Sequence, residues 1–593
     1  MKKRVLLLTI ILLLIMVIST YAWFTWRGKT SYMSYVIGSD ESTLISLTPY
    51  QYIGTLNPVL TYLNENYVQI EASNNKSNKA MFNLYYVVNS ISNELISSDV
   101  KYTITKCDSL NGTYTEIKTG DFSSISVNND YSILSKETIL GNTKAYYRVY
   151  LWIDSNSGNQ SSMQDKSLNI ELRANIVSSN LIMVDLDDGM IPIVFDTDET
   201  NTVIKTISAD DENWYNYDNK QWANVVLVSD ASRNNYLGTS GTIVDENDIL
   251  AYLVYIPRYK YKIWSLTSGG KGTEQMIDIM FENNLGSVSN GSAIDSYLTH
   301  PAFVFGSKEL NGIWVGKFET TGSGDNPSVL PNVQSLRKQI VSVEFATAQK
   351  FGTSIYGSTA KVDAHMMKNS EWGAVTYLAY SKYGINENIY INNSSNYYTG
   401  RSAGAEGSSS TKTSKGGTYT WDGKVMSGTN IGTYASDRTL GTKASTTGNI
   451  TGIYDMSGGA HEYVMAVLAD KNGAPRSGYA SLYNSGFTGI VYAYGLNSTY
   501  NGTPFPDSKY YDLYTTTDRT TACSGTICFG HALSETYEWY GNYATFVSEK
   551  YPWFIRGGLY SSGAEAGIND YGNASGDDGS SDRSFRLVIS YVE

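Results

Sequence analysis

The sequence predicts a multidomain, β-rich protein. An antiparallel β-sandwich comes first, then a small aromatic-rich linking region, then an α+β unit. Three observations lead there. The chain has 593 residues, more than one core usually serves. Short runs of alternating apolar and polar residues recur between turn-forming segments. The composition holds 49 Tyr and 53 Gly against 11 Pro, and aromatic residues favour strands. With 41% apolar and 17% charged residues the chain is not of the disordered class. A net charge of −13 with no long basic block excludes a nucleic-acid binder, because phosphate contacts need Lys and Arg.

The N-terminus reads MKKR followed by VLLLTIILLLIMVISTYAWF. A basic start before an apolar run marks residues 1–26 as a signal peptide or a membrane anchor. Either outcome places the remainder at the cell surface or in the extracellular space, with membrane contact only through this segment. From residue 27 to 177, runs such as YVQIEAS, FNLYYVV, KYTITK, AYYRVYLWI and LNIELRANIV alternate at period two. Segments such as NNKSNK, SLNGTY and NSGNQSS part them, the spacing of an antiparallel sandwich. TYAWFTW, TLNP, FNLYYVV and YLWIDSNSGNQSSMQDKSLNIELRANI together resemble the camelysin and biofilm-fibre family of Bacillota. The resemblance implies a secreted jelly-roll-like domain and homo-assembly. No HExxH occurs, so no protease activity is carried over.

Residues 178–257 contain VDLDDGMIPIVFD, NWYNYDNKQWANVVLVS and ILAYLVYIP. Asp185, Asp187 and Asp188 could hold a cation or form a solvated turn. Trp214, Tyr215, Tyr217 and Trp222 suggest a small aromatic core. The stretch resembles segments that accompany lectin-like domains in bacterial surface and phage-related proteins, and this carries no activity.

From 258 to 593, five landmarks follow in order: GIWVGKFETTG (312–322), MMKNSEWGAVTYLAYSKYG (366–384), GNITGIYDMSGGAHEYV (448–464), FIRGGLY (554–560) and SDRSFRLVIS (581–590). The first reads as a strand. The second carries Trp372, Val375, Leu378 and Ala379 at helical spacing, with Gly384 as a stop. Together they resemble the formylglycine-generating-enzyme and sulfatase-modifying-factor family, whose fold is a variant of the C-type lectin fold. Those enzymes use a cysteine pair after the RGG turn to hold copper and oxidise a thiol. No cysteine follows Arg556-Gly557-Gly558 here. The resemblance therefore implies neither copper nor the oxidase.

Two site expectations follow from the same resemblance. The family's calcium turn maps onto Asp455, Gly458, Ala460 and Glu462: two carboxylates and two backbone carbonyls, a set suited to a hard cation. The alternative is a metal-free corner in which the two acids cap or bridge. The neighbouring His461 is expected to pack rather than act as a base. The segment after RGG implies a flexible polar loop that binds ligand through Tyr560, Asn569, Asp570, Tyr571 and Asn573, beside Asp577 and Asp578. A Gly/Ser-rich stretch at 399–424 reads as a second exposed loop. The insertion at 482–550 holds Cys523 and Cys528 in CSGTIC, where a disulfide, free thiols or a metal site with His531 all remain open. The expected function is non-catalytic binding of a glycan or protein on another cell or surface. The alternatives are a fibre assembled through the N-terminal sandwich, or an enzyme of non-oxidase chemistry with histidines and carboxylates gathered in one cleft.

Overall fold

A computed structural model describes the chain except residues 1–23, 29–51, 57, 63–66, 75–79, 128–129, 140–142, 158–159, 164–165, 177–181, 183, 210, 212, 264–272, 283–296, 405–416, 429, 470–474, 476–484, 489–502, 521–522, 524–527 and 578–580. The apolar N-terminal run and Asp578 thus lie outside the described residues. Among the described residues no helix is long and apolar enough to cross a membrane. The chain is β-rich and divides into two compact units, Met1–Leu181 and Ile182–Glu593.

The first unit contains β1 (Phe24–Gly28), β2 (Tyr52–Leu56), β3 (Pro58–Val59), β4 (Tyr67–Asn74), β5 (Ala80–Ile91), β6 (Val100–Cys107), β7 (Thr115–Asp121), β8 (Asp130–Ile139), β9 (Thr143–Asp154) and β10 (Ser167–Ile176). They form two sheets. One runs β2-β1-β10-β5-β8; the other runs β3-β9-β6-β7, with β4 also on β9. Pairing is antiparallel except β1 with β10 and β3 with β9. Period two decides which side chains go inside. Phe82, Leu84, Tyr86 and Val88 of β5 meet Val68, Ile70 and Ala72 of β4 and Tyr147, Val149 and Leu151 of β9 in one buried cluster. β7, TEIKTGD, pairs only with β6 among the described residues and stays exposed.

The second unit contains β11 (Ile191–Thr197), β12 (Thr202–Thr206), β13 (Asn224–Val228), β14 (Ile249–Pro257), β15 (Gly312–Gly316), α1 (Val341–Gln349), β16 (Val362–Met366), α2 (Asn369–Ala379), β17 (His461–Leu468), β18 (Asp512–Tyr514), β19 (Trp553–Gly557), β20 (Gly567–Ala574), β21 (Arg583–Phe585) and β22 (Leu587–Tyr591), besides shorter elements. Its largest sheet has seven antiparallel strands in the order β12-β11-β13-β14-β15-β22-β16. The linking region expected at 178–257 is therefore no separate piece. Four of these strands come from it, and β14 pairs directly with β15 across the expected boundary. The reason is burial on both faces: ILAYLVYIP is apolar almost throughout, as a central strand must be. Trp214, Tyr217 and Trp222 join the common core of the unit.

The three aspartates of that region also find partners. Asp187 is buried and accepts hydrogen bonds from the Thr359 N–H, at 2.7 Å, and from the Thr359 hydroxyl. Asp185 accepts from the Asn311 side chain at 3.0 Å, and Asp188 faces Lys361 at 3.4 Å. Asp185 and Asp187 thus dock the segment against residues just before β15 and β16, while Asp188 stays exposed in the turn before Gly189, as the solvated-turn expectation has it.

The expected 366–384 helix is shorter, because Val362–Met366 is already a strand. α2 is buried all round. Glu371 reaches back to the Lys368 N–H at 2.8 Å, and Asp512 accepts from the Ser370 N–H at 2.7 Å. Two carboxylates thus accept N–H groups at its start, where the helix dipole favours negative charge.

Candidate functional site

The turn leading into β17 is built on left-handed backbone. Asp455 has φ 64°, Gly458 78° and Gly459 75°. A Cβ on Gly458 would lie 2.4 Å from Ile391 Cγ1, and one on Gly459 2.5 Å from Glu319 Oε1. Both glycines are required twice, by conformation and by space.

The four expected calcium ligands are placed as follows. Asp455 is buried; its Oδ1 accepts from Asn392 Nδ2 and from the Gly400 N–H, both at 2.8 Å. Glu462 is fully buried and forms a bidentate pair with Arg586, at 2.9 and 2.5 Å. Gly458 donates its N–H to Gly557 O, and Ala460 donates its N–H to Glu319 Oε1. Calcium asks for about six to eight oxygens. Here both carboxylates are engaged by amide and guanidinium donors, which an ion at this turn would have to displace. The positive charge in the corner is Arg586. Burial raises Glu462 to about 7 against the pull of that guanidinium. Burial drives Glu319 well above the usual carboxylate range, and the Asp455 and Glu462 charges add to it.

The expected ligand loop is not a loop. Asn569, Asp570, Tyr571 and Asn573 lie on β20, paired to β19. Asn569, Asp570 and Tyr571 are each at most 3% exposed. Asn569 Nδ2 donates to Tyr380 Oη at 3.0 Å, and Asn573 Nδ2 donates to Phe546 O at 2.9 Å. Tyr571 packs 5.6 Å from the guanidinium of Arg556, the arginine of the RGG corner. Arg556 is itself buried and donates to Ala532 O at 3.0 Å. Burial pulls it down to about 10, and the Asp570 charge acts the other way. The polar residues are internal because distant segments supply their partners. The 399–424 loop is likewise corrected at its flanks: Arg401–Ser402 and Gly417–Thr420 pair as buried strands.

The histidines do not form an open cleft. His365 is buried, 3.0 Å from Glu371 and stacked on Phe305. His531 is buried, 2.6 Å from Tyr514 Oη. His300 lies among Tyr259, Tyr261, Tyr377 and Phe303, and burial holds it well below its usual value. Below it, Glu535 accepts from Tyr377 Oη at 2.6 Å, from the Gly530 N–H at 2.7 Å and from Tyr261 Oη at 3.1 Å. Burial raises Glu535 to about 7 against those three donors. His461 alone is half-exposed. Burial lowers it to about 4, so it is neutral at physiological pH and a poor base.

Two of the expected ligand residues, Asn573 and Tyr560, are partly exposed. Tyr560 is half-exposed, and its N–H donates to Gly459 O at 2.9 Å. Its ring meets Tyr397 edge to face at 5.2 Å. The Arg337 guanidinium lies 3.8 Å over the other ring, Tyr397. Arg337 also donates to Ser581 O, and His461 donates its N–H to Asp582 O at 2.9 Å. Arg337, Tyr397, Tyr560, His461 and Asp582 thus share an aromatic shelf at the turn. Sequence reasoning missed Arg337 and Tyr397, which belong to no motif; the tyrosine-rich composition was the one signal.

Cys523 and Cys528 are joined in a disulfide with a Cα–Cα distance of 5.7 Å, and both are buried. Cys107 is a half-buried free thiol. No protein-family model and no curated protein matches the chain.

Proposed function

We propose that the chain is an exported surface protein whose second unit binds a ligand without catalysis, on a sulfatase-modifying-factor-like, C-type-lectin-like fold. The ligand is a glycan or protein of another cell. The first unit is read as a jelly-roll-like β-sandwich that spaces this module from the surface. The observation that carries the reading is a contrast in exposure. The groups a catalyst would use, Arg556, Glu535, His365 and Glu371, are buried and hydrogen-bonded, whereas Tyr397, Tyr560 and Arg337 are only partly buried, together at the turn. Tyrosine rings with adaptable polar neighbours are efficient contact surfaces at low entropic cost. The reading needs no calcium, since an ion at the turn would have to displace Arg586 from Glu462.

The test is binding of the full exported chain to glycan arrays and to intact cells, with Tyr397→Ala and Tyr560→Ala as variants. Binding that falls at least tenfold in both variants supports the shelf. Binding that is unchanged in both sinks it. The exposed β7 edge favours a second reading, a fibre built through the first unit. Filaments in electron micrographs of secreted material would support it.

A further inference from the structure

The disulfide has a third neighbour. Asp518, Cys523 and Cys528 each offer a ligand atom, and the three atoms lie within 4.8 Å of one another. We propose that when this disulfide is reduced, the two thiolates and the Asp518 carboxylate bind one thiophilic divalent cation of the zinc class. Disulfide and metal are then alternative links between the same two cysteines.

Three features support the site besides proximity. Hydrogen bonds that do not involve the sulfurs hold both cysteines in place. The Cys523 N–H donates to Asp518 O at 2.6 Å, Ser534 Oγ donates to Cys523 O at 2.8 Å, and the His531 N–H donates to Cys528 O at 3.2 Å. Breaking the S–S bond leaves these contacts standing, so the thiols stay close. Second, the carboxylate is oriented: Asp518 Oδ2 accepts from the Thr515 N–H at 2.6 Å and from Thr515 Oγ1 at 2.8 Å. Such supporting contacts fix a ligand's direction. Third, the sulfurs are wholly buried while Asp518 is partly exposed, which gives the ion a dry site with an entry on the acid's side.

Two sulfurs and one oxygen suit tetrahedral zinc, with water in the fourth position. His531 does not supply the fourth ligand through Nδ1, which is committed to Tyr514 Oη. The chemistry balances. An external dithiol gives two electrons and two protons to the S–S bond and closes to its own disulfide. The cation then displaces the two thiol protons to solvent.

The experiment uses the full chain in a Cys107→Ser background. A phosphine is the reductant, because a dithiol would compete for the ion. Co²⁺ is the optical probe and Zn²⁺ the competitor. A thiolate-to-cobalt charge-transfer band, one ion per chain, in the reduced but not the oxidised protein is the expected result. Cys523→Ser should abolish the band, and Asp518→Asn should weaken zinc binding about tenfold or more. The proposal is overturned by a reduced, folded chain that binds no ion, by binding that survives Cys523→Ser, or by full affinity in Asp518→Asn. A reduced chain that unfolds and does not refold with zinc overturns it as well. None of these outcomes bears on the aromatic shelf.

Discussion

Lys317→Met probes how the second unit holds its halves together. Lys317 is fully buried, and its Nζ donates to Asn224 Oδ1 at 2.9 Å, Ile450 O at 2.6 Å and Gly452 O at 2.9 Å. The rings of Phe195, Tyr454 and Trp421 lie 4.9–5.8 Å from it. Burial holds this amine well below the usual lysine range, but only an ammonium has the three N–H groups that three acceptors call for, and it ties β13 to the segment that precedes the glycine turn. Methionine keeps the length and the apolar stem but offers no N–H. Three buried acceptors lose a charged donor, a loss of roughly 1.5–3 kcal/mol each. Against this, the variant no longer buries an ammonium away from carboxylates, which returns several kcal/mol. The balance is a net loss of about 2–4 kcal/mol. The assay is urea unfolding followed by tryptophan fluorescence. The transition of the second unit should move to lower urea with its slope unchanged, while that of the first unit stays put. A variant as stable as the parent would refute the idea that these three bonds outweigh the desolvated charge.

Further outcomes are expected elsewhere. Glu535 sits near 7 in the folded chain and at about 4.3 in the unfolded one, so between those values the folded state holds the extra proton. Its contribution is full below about pH 4.3 and fades as pH rises through 7, on the order of 3 kcal/mol. Glu535→Gln should flatten that part of the stability–pH curve, and an unchanged slope would point to other groups such as Glu462. Gly459→Ala should cost about 1–3 kcal/mol in backbone strain alone, read as a lower thermal midpoint. Because Arg586 already neutralises Glu462, added calcium or a chelator should leave that midpoint where it is. A rise with calcium would show that the ion displaces the guanidinium.

Strands that alternate were legible in the sequence. FNLYYVV and AYYRVYLWI place their apolar residues at period two, and the structure buries those residues. GIWVG and the Trp372–Ala379 spacing also read correctly as strand and helix. The role of 191–257 was not legible, because its partner β15 lies tens of residues away, β15 in turn pairs with the far more distant β22, and pairing over such distances leaves no local pattern. The run GINDYGNA misleads for a related reason. Its polar side chains look solvated until Tyr380, Phe546 and Arg556 arrive from other segments to meet them. Arg586 was visible inside SFRLV, but its pairing with Glu462 depends on β17 and β21 lying side by side.

The position of β22 has a kinetic meaning. It lies between β15 and β16, so the last strand in sequence is an interior member of the largest sheet. A chain emerging N-terminus first, from a ribosome or a narrow conduit, must wait with β14, β15 and β16 made but the sheet divided. Closure is then a late zippering event that depends on residues 587–591, and premature exposure of the open seam is the hazard that a slow delivery of those residues would lengthen.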